Sequence, residues 1–367
     1  MQLFEELRQN YSHEQYSARD AQALAHIYSW GPVVFQVARL LRKYGILRLL
    51  SDAGGNGLTQ AQIAQQTGLS NYAAKCLLEA ALTMHAVLIN PDTDHYTLAK
   101  TGWFLLNDDL IGVDINFNHD VNYEGWFVLD KALEEGRPAG LEHFGNWLTI
   151  YEGLSSLPAQ VQQSWFGFDH YYSDHSFDEA VEIIFRNGRK HILDVGGNTG
   201  KFARFVTEHQ PEAEVTICDL PQQIEMMRTQ TKGYIGETRI HGYGMDLLNE
   251  DAAFPTKEHY DVIWMSQFLD CFAEAEIVSI LKRAARIMDD TNRLYIMETL
   301  WDRQKYTPAA FCLTMTSLYF TALANGNSKM YNTDDMTRLI HEAGLEVESI
   351  HDHLGTGGHS ILICKKI

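Results

Sequence analysis

An apolar segment that runs into a cluster of glycines places the strongest constraint on how this chain folds. Residues 191–201 read His-Ile-Leu-Asp-Val-Gly-Gly-Asn-Thr-Gly-Lys, and residues 215–221 read Val-Thr-Ile-Cys-Asp-Leu-Pro. The pattern predicts a buried strand, a glycine turn, an amphipathic segment and a second apolar strand closed by an acid. The turn glycines permit backbone dihedral angles that a Cβ forbids, and they let the main chain approach a ligand. Together these elements favour a βαβ unit.

The acids of these two strands indicate what the turn binds. Asp219 lies 25 residues after Asp194, where a carboxylate at the end of the second strand can accept hydrogen bonds from both ribose hydroxyls. This arrangement predicts a nucleoside ligand. The glycines lack the G-x-G-x-x-G spacing of a dinucleotide site, and Asp194 repels pyrophosphate but suits an ammonium or sulfonium centre. S-adenosylmethionine (SAM) is therefore favoured over NAD.

Length, charge and hydropathy limit the classes of protein to which this chain can belong. The 367 residues favour two domains, and 29 Lys and Arg against 48 Asp and Glu give a formal net charge of −19. An acidic surface repels phosphate groups, so we expect neither nucleic acid nor a membrane as a partner. The first six residues carry acids where a secretory signal carries a basic cluster. No apolar run reaches the roughly 20 residues of a membrane span.

The cysteines indicate a cellular compartment. Five are present, an odd number without C-x-x-C spacing, and they stand in apolar contexts. We expect reduced core thiols in a cytoplasmic protein. The histidines and acids show no metal-ligand spacing, so no metal is expected. The five cysteines are Cys76, Cys218, Cys271, Cys312 and Cys364.

The first 105 residues predict helices followed by a short hairpin. Apolar residues recur at helical spacing over 20–50 and again over 72–85, with a capped helix between them. Short apolar runs at 86–89 and 95–98 flank a turn, which completes a winged-helix pattern. The second helix of that pattern carries a single cation, Lys75, which argues against DNA binding. We expect the apolar helices to pack against a second subunit.

Residues 106–367 divide into a segment rich in aromatic side chains and a segment in which strands alternate with helices. Residues 106–185 are rich in aromatic side chains, which predicts core together with the walls of a pocket for a flat apolar ligand. Residues 186–367 alternate strands with helices and predict a mostly parallel, doubly wound seven-stranded sheet. We therefore expect three segments: 1–105, 106–185 and 186–367. The strands are predicted at 192–195, 215–219, 239–243, 262–265, 294–298, 345–350 and 360–365.

These segments resemble the SAM-dependent small-molecule O-methyltransferases of the plant caffeate and bacterial polyketide type over nearly the whole chain. Residues 193–200 are similar to the family's (V/L)DVGGGTG, with Asn198 in place of the middle glycine. Residues 219–221 match its DLP, 168–172 parallel its F-N-x-x-M helix, and 245–247 resemble its G-D-M/V. The resemblance implies an α/β fold: a class I methyltransferase Rossmann-like seven-stranded sheet behind an N-terminal, mainly helical winged-helix dimerisation domain. It also implies a homodimer.

The resemblance assigns a role to each cofactor contact. The turn glycines lie against the methionine and ribose of SAM, the acid after the second strand binds the ribose, and an Asp-Leu pair holds the adenine. A serine stands where the family has a lysine that contacts the cofactor. These positions are Asp194, Gly196, Gly197, Gly200, Asp219, Asp246, Leu247 and Ser266. We place the substrate pocket at Phe168, Tyr172, Phe311 and Met315.

The catalytic position departs from the family pattern. After the fourth strand the family carries His-Asp-Trp, whose histidine deprotonates the substrate hydroxyl, and in this chain that position holds Asp270. Glu298 matches one of the two acids that orient the histidine, whereas the second falls near Met330. An aspartate with a pKa of about 4 is a poor base for a phenol with a pKa of about 10. Burial beside Glu298 would raise the pKa of Asp270 and suit it to the task.

Three functions remain open on this pattern. The first is SAM-dependent methyl transfer to a hydroxyl, or to an acidic carboxyl, of a small aromatic or polyketide-like molecule. Its base is Asp270, unless that residue only caps a helix and an imidazole of His170, His175 or His241 acts instead. The second is a hydroxylase- or decarboxylase-like homologue that binds SAM without transferring its methyl group. The third is a winged-helix regulator that senses a ligand.

Overall fold

The chain folds into two groups of elements, and we describe each group by itself. Residues 12–121 and 163–168 form an N-terminal unit, and residues 122–162 and 169–367 form a C-terminal unit. The predicted middle segment, 106–185, is shared between the units because each of its parts makes its contacts within one unit or the other. The computed structural model describes residues 11–186, 188–256 and 259–367, without the side chains of 172–174.

The N-terminal unit is mainly helical, as predicted. Its core packs Leu41, Leu47 and Leu50 with Ile63 and Leu78, all fully buried. A two-stranded antiparallel hairpin follows the helices and completes the winged-helix arrangement. The elements are α1 (Ala18–Ser29), α2 (Gly31–Lys43), α3 (Ile46–Ala53), α4 (Gln60–Thr67), α5 (Asn71–Thr83), β1 (Val87–Ile89), β2 (Tyr96–Leu98), α6 (Lys100–Asn107) and α7 (Asp109–Phe117).

Local sequence determines where two of these helices begin. Thr59 caps α4: its hydroxyl accepts from the main-chain N–H of Gln62, and the Gln62 side chain accepts from the N–H of Thr59. Ser70 caps α5 by accepting from the N–H of Ala73. These caps satisfy N–H groups that the first helical turn leaves without a main-chain partner. The capped helix predicted between the two apolar runs is therefore confirmed.

The C-terminal unit contains all seven predicted strands, in one mixed sheet. They are β3 (His191–Val195), β4 (Glu214–Asp219), β5 (Ile240–Gly244), β6 (Val262–Ser266), β7 (Arg293–Glu298), β8 (Leu345–Leu354) and β9 (His359–Lys366). The order is β5-β4-β3-β6-β7-β9-β8, with β9 antiparallel to both neighbours and the other pairs parallel. The helices are α8 (Leu129–Glu135), α9 (Ile150–Gly153), α10 (Ala159–Ser173, which enters both units), α11 (Phe177–Phe185), α12 (Lys201–His209), α13 (Pro221–Thr231), α14 (Glu274–Arg286), α15 (Thr307–Tyr319) and α16 (Thr333–Glu342).

Helices cover both faces of the sheet. Successive residues of a strand point to opposite faces, so the central strands contribute to two cores. Leu193, Ile263 and Leu294 pack with α14 and α16, whereas Ile192 and Val262 pack with α11, α12 and α13. Burial on both faces explains why these strands read as nearly continuous apolar runs.

Parallel pairing brings the carboxyl ends of the central strands to one edge of the sheet. Val195 at the end of β3 pairs with Cys218 of β4 and Met265 of β6, and Ser266 pairs with Met297 of β7. The loops that follow these strands therefore start side by side. Ligands of open α/β sheets bind at this edge, so the fold places the glycine turn and the candidate acids where a site is expected.

The cysteines are all free thiols, and most fit the predicted core positions. Cys218 and Cys364 are buried, and Cys271 and Cys312 are partly buried. Cys76 is exposed, which corrects the expectation of a core thiol. The reason is the geometry of α5, whose buried face is taken by its other apolar residues.

One helical stretch in the described chain, Thr307–Ala324, is long and apolar enough to cross a membrane by length and composition alone. It joins α15 to a π-helical turn, Phe320–Ala324. A helix in a protein core passes the same test. Ala322 and Leu323 of this stretch are fully buried within the C-terminal unit.

Candidate functional site

The turn after β3 has a backbone geometry that glycine adopts readily and other residues rarely do. Gly196 and Gly200 have φ angles of +78° and +81°, and Asn198 between them has a φ of +49°, which asparagine tolerates better than most residues. The N–H of Gly196 donates to the carbonyl of Cys218 at 2.9 Å. A Cβ on Gly196 would collide with the ring of Phe268. Both the dihedral angle and the crowding therefore require glycine at this position.

Asp194 lies beneath this turn. It is 2% exposed, a Cβ on Gly197 would lie 2.5 Å from its Oδ2, and that oxygen has no hydrogen-bond partner among the described residues. Burial and the nearby charge of Asp219 raise the pKa of Asp194 to about 8. Burial therefore disfavours a negative charge on Asp194 in the protein alone, and the role of this acid in selecting against pyrophosphate stays a prediction.

Asp219 ends β4 and reaches back to the glycine turn. Its Oδ2 accepts from the N–H of Asn198 at 2.8 Å, and its Oδ1 accepts from the N–H of Leu220 at 2.7 Å. Burial raises the pKa of this carboxyl, and the two hydrogen bonds oppose that effect. The side chain is held in one orientation at the sheet edge, and each oxygen keeps lone pairs for further donors such as ribose hydroxyls.

The remaining predicted cofactor positions lie on the neighbouring strand ends. Asp246 is exposed after β5, and its Oδ1 accepts from the N–H of Leu248 at 2.9 Å. Leu247 packs in the core, and its carbonyl accepts from the Arg283 guanidinium. Ser266 ends β6 and is partly buried. The adenine contacts assigned to Asp246 and Leu247 stay predictions, and the Leu247 side chain itself has a packing role.

The site residues fit SAM. The turn offers main chain without side chains at Gly196 and Gly200, and Asp219 holds a carboxylate at the position predicted to bind the ribose. Asp194 adds a buried oxygen, close beneath the turn, that has no hydrogen-bond partner in the described part of the chain. A nucleoside that carries ammonium and sulfonium groups matches this donor set, since both groups favour an ionised carboxyl nearby.

The loop after β6, residues 268–272, carries the candidate base, and Glu298 at the end of β7 holds its main chain. Glu298 Oε1 accepts from the N–H of Phe268 at 3.1 Å and from that of Leu269 at 2.8 Å. Gln267 enters the loop with a φ of +45°, and its N–H donates to Met297 at 2.8 Å. Both contacts come from β7, so the sheet positions this 268–272 loop directly.

Asp270 in this loop and Glu298 at the end of β7 are both buried carboxyls. Asp270 is 7% exposed, and Glu298 is 2% exposed. Burial and the nearby charge of Asp169 raise the pKa of Asp270 to about 7. Burial and the charge of Asp270 raise the pKa of Glu298 well above its usual value. Asp270 is therefore not a solvated helix cap, since α14 begins after Ala273.

Three side chains hold Cys271, the next residue, by hydrogen bonds. The Tyr151 hydroxyl donates to its Sγ at 3.2 Å, and the Cys271 thiol donates to Asp270 Oδ1 at 3.5 Å. Asn325 Nδ2 donates to the Cys271 carbonyl at 2.6 Å. Sequence reasoning counted Tyr151 only among the aromatic residues and missed Asn325. No local pattern signals contacts between positions so far apart in the chain.

The second acid of the family pattern is absent from the Met330 position, as the sequence predicts. Met330 is buried, and its sulfur accepts from the Thr299 hydroxyl at 3.8 Å. A buried acid, Asp302, lies on a neighbouring segment, where its Oδ1 accepts from the N–H and the hydroxyl of Thr333. Those contacts join the segment after β7 to the start of α16.

The four predicted pocket residues fall in different parts of the structure. Phe311 and Met315 lie on α15 in the C-terminal unit and are 56% and 44% exposed. Phe168 belongs to the N-terminal unit, where its ring stacks on Phe117 with centroids 4.0 Å apart. The side chain of Tyr172 lies outside the described residues. A common pocket for these residues stays a prediction.

The three candidate histidines make surface contacts. His170 Nδ1 lies 3.9 Å from an Asp169 carboxylate oxygen, and His241 Nε2 lies 3.7 Å from one of Glu214. His175 Nδ1 lies 3.1 Å from the Tyr171 carbonyl. Within the described residues, no group of three or more His, Cys, Asp or Glu side chains is arranged to hold a metal ion.

Solved structures share the fold over nearly the full length of the chain. The SAM-dependent methyltransferase SibL superposes with a TM-score of 0.70 at 20% identity, covering 93% of this chain and 98% of that one. The mitomycin 7-O-methyltransferase MmcR superposes with a TM-score of 0.67 at 18% identity, covering 95% and 98%. The sheet, its glycine turn and its helical N-terminal unit thus define a methyltransferase fold of the Rossmann-like class.

Family models and relatives give the family. A Dimerisation2-like domain matches residues 22–96, and an O-methyltransferase domain matches residues 175–346. Demethylspheroidene O-methyltransferase of Rhodobacter capsulatus is 21% identical over 89% of this chain and 77% of its own length. Norreticuline-7-O-methyltransferase of Papaver somniferum is 22% identical over 69% and 67%. The chain belongs to the O-methyltransferases that carry both domains, and it is a SAM-dependent enzyme.

Proposed function

We propose that this methyltransferase acts on a hydroxyl of a small aromatic or polyketide-like acceptor, with Asp270 as general base. The observation that carries the proposal is the buried Asp270 carboxyl, which has a pKa of about 7 and stands where the family has its histidine. Glu298 supports the assignment because it accepts hydrogen bonds from the N–H groups of Phe268 and Leu269, the two residues that precede Asp270.

A raised pKa makes the aspartate a useful base. A phenol has a pKa of about 10, so proton transfer to a carboxylate with a pKa of about 4 is uphill by about 8 kcal/mol. For a carboxylate with a pKa of about 7 the same transfer is uphill by about 4 kcal/mol, close to the value for an imidazole. Asp270 can therefore replace the histidine without a change in the type of mechanism.

Each group has one task in this mechanism. When bound, SAM would supply a methyl group carried on its sulfonium sulfur. The sulfur would be the leaving group and would keep the electrons of the carbon–sulfur bond. The Asp270 carboxylate accepts the proton of the acceptor hydroxyl, whose oxygen forms the new bond to the methyl carbon. Asp219 and the glycine turn position the nucleoside, and Glu298 keeps the base at the sheet edge. Proximity and alignment account for the rest of the rate.

The names of relatives and the exposed side chains of α15 support an aromatic acceptor. Matched relatives are named for norreticuline, 8-hydroxyquercetin and naringenin, and one structural neighbour was solved with 2-hydroxy-5-methyl naphthoic acid. In this chain, Phe311 and Met315 lie one helical turn apart and exposed. An aromatic ring and a thioether are side chains that suit a flat apolar molecule.

Exchange of Asp270 tests the base assignment. We expect Asp270→Asn to lower kcat about 100-fold or more toward a phenolic acceptor. Binding of S-adenosylhomocysteine, measured by calorimetry, should stay within about twofold of wild type. We expect wild-type kcat/KM to rise as the pH passes through about 7, because the carboxylate form is the base. Asp270→His keeps a base of similar pKa and serves as the matched variant.

Two results would overturn the proposal. Wild-type turnover by Asp270→Asn would remove Asp270 from the role of base. Binding of S-adenosylhomocysteine without methylation of any phenol, enol or carboxylic acid in a broad panel would favour the homologue that transfers no methyl group.

We also propose that the enzyme is a cytoplasmic homodimer. The Dimerisation2-like domain supports the dimer. Helix α1 supports it independently, since none of its residues is buried and Ile27 and Tyr28 are more than half exposed. The cytoplasmic location rests on the composition of the chain, and cell fractionation tests it.

A further inference from the structure

We propose that Cys271 and Tyr151 are positioning residues that hold the Asp270 carboxylate ionised and in one orientation, through a continuous chain of hydrogen bonds. The inference rests on the proposed role of Asp270 as base and adds two residues to that site. Neither position belongs to the motif residues identified from the sequence.

The contacts run in one direction, from tyrosine to thiol to carboxylate. The Tyr151 hydroxyl donates to Cys271 Sγ at 3.2 Å, and the Cys271 thiol donates to Asp270 Oδ1 at 3.5 Å. Both lengths are ordinary for sulfur, which is a larger atom than oxygen. A thiol is a weak donor, and accepting a hydrogen bond from the tyrosine polarises it and strengthens its own donation.

The main chain of Cys271 is fixed independently of its thiol. Asn325, which follows the π-helical turn Phe320–Ala324, donates to the Cys271 carbonyl at 2.6 Å. The Tyr331 hydroxyl donates to the carbonyl of Phe272 at 2.7 Å. These two contacts hold the main chain from which the thiol extends, next to Asp270.

The charged surroundings of Asp270 show why such a donor is needed. The groups of the described residues that act on it are acids and neutral donors, and burial together with the charge of Asp169 disfavours its ionisation, whereas Asp270 in turn raises the pKa of Glu298. The thiol donates to the ionised form and opposes them. Burial raises the pKa of both the thiol and the Tyr151 hydroxyl, so both keep their protons. The facing groups are Tyr151, Asp169, Cys271, Glu298 and Tyr331.

The pH profile of kcat/KM separates positioning from a merely structural role. We expect Cys271→Ala to move the midpoint of the acid limb up by about one pH unit, so that activity near pH 6 falls about tenfold and activity near pH 9 stays within about twofold. Cys271→Ser keeps a donor and should retain the wild-type midpoint. Tyr151→Phe should also move the midpoint of the acid limb up, but by less than Cys271→Ala does.

Thiol chemistry provides a readout that does not depend on turnover. The Asp270 carboxylate disfavours thiolate formation at Cys271, so we expect Asp270→Asn to speed alkylation of Cys271 by iodoacetamide several-fold near pH 8, followed by mass spectrometry. Cys76→Ala, which removes the exposed cysteine of α5, is the control for background labelling. Binding of S-adenosylhomocysteine shows that each variant is folded.

The two proposals fail in different ways. If Asp270→Asn retains wild-type turnover, Asp270 is not the base and the proposed mechanism fails. If Asp270→Asn is inactive while Cys271→Ala and Tyr151→Phe superimpose on the wild-type pH profile, the base stands and the positioning role is overturned. Alkylation of Cys271 at equal rates in wild type and Asp270→Asn would also overturn it, because the contact would then be absent.

Discussion

At the scale of single residues, the site is unusual in the number of acids that it buries together. Asp194, Asp270 and Glu298 are each 7% exposed or less, and the pKa of each is raised by burial and by another carboxyl. A buried carboxyl without a cation beside it favours the proton-bound form. The same physical effect suits Asp270 to the proposed role of a base near neutral pH, and it makes the protein alone sensitive to alkaline pH.

Asp194 gives this sensitivity a measurable form. Its pKa is about 8 in the folded protein and near 3.8 when solvated, so the folded state binds the proton more tightly. Its contribution to stability is complete below about pH 4 and is lost as the pH rises toward 8. The free energy of unfolding of the wild type should fall between pH 6 and 8. We expect Asp194→Asn to reduce this fall by about 2 kcal/mol, measured by urea unfolding without cofactor. Parallel pH curves for the two proteins would contradict this assignment.

At the scale of elements, the β3 turn and the 268–272 loop are built as one assembly. Gly196 has room for the Phe268 ring only because it lacks a Cβ, and Glu298 fixes the N–H of Phe268 from β7. The turn proposed to hold the cofactor and the loop proposed to carry the base therefore share a contact. A substitution in one of these two elements should therefore alter the position of the other.

A pair of glycines with the same backbone angle isolates this contact. Gly196 and Gly233 have φ angles of +78° and +77°, but a Cβ on Gly233 has no heavy atom within 4 Å. We expect Gly233→Ala to cost about 1 kcal/mol of stability through backbone strain alone. Gly196→Ala should cost more and weaken S-adenosylhomocysteine binding at least tenfold, measured by calorimetry. Equal cofactor affinity in the two variants would show that the Phe268 contact is unimportant.

At the scale of the whole molecule, α1 buries none of its residues against the described part of the chain. Ile27 on α1 and Trp30 at its end are 52% and 63% exposed. We expect wild type to elute at twice the 41.8 kDa chain mass in light-scattering chromatography. The double variant Ile27→Asp with Trp30→Ala should shift toward the monomer. Ile235→Asp, at an 82% exposed position of the C-terminal unit, is the control and should leave the mass unchanged.

The parts of the fold that could be predicted depend on short-range patterns. The strand before Gly196 and the cap at Thr59 follow from dihedral preferences and hydrogen bonds within a few residues. The contacts that shape the base could not be predicted in this way. Tyr151 and Cys271 are 120 positions apart, and only packing of the C-terminal unit brings them to 3.2 Å.

By itself, the sequence determined the order of strands and helices, the glycine turn and the acid after the second strand, and it predicts Asp270 at the position of the family's histidine. These follow from periodicity and from residue types, which are local properties of the chain. Only the tertiary structure decided that Asp194 is buried beneath the turn, that Leu247 belongs to the core and that Asp270 has a pKa of about 7. Those properties depend on the desolvation and the charges that distant segments bring together, and no local pattern contains them.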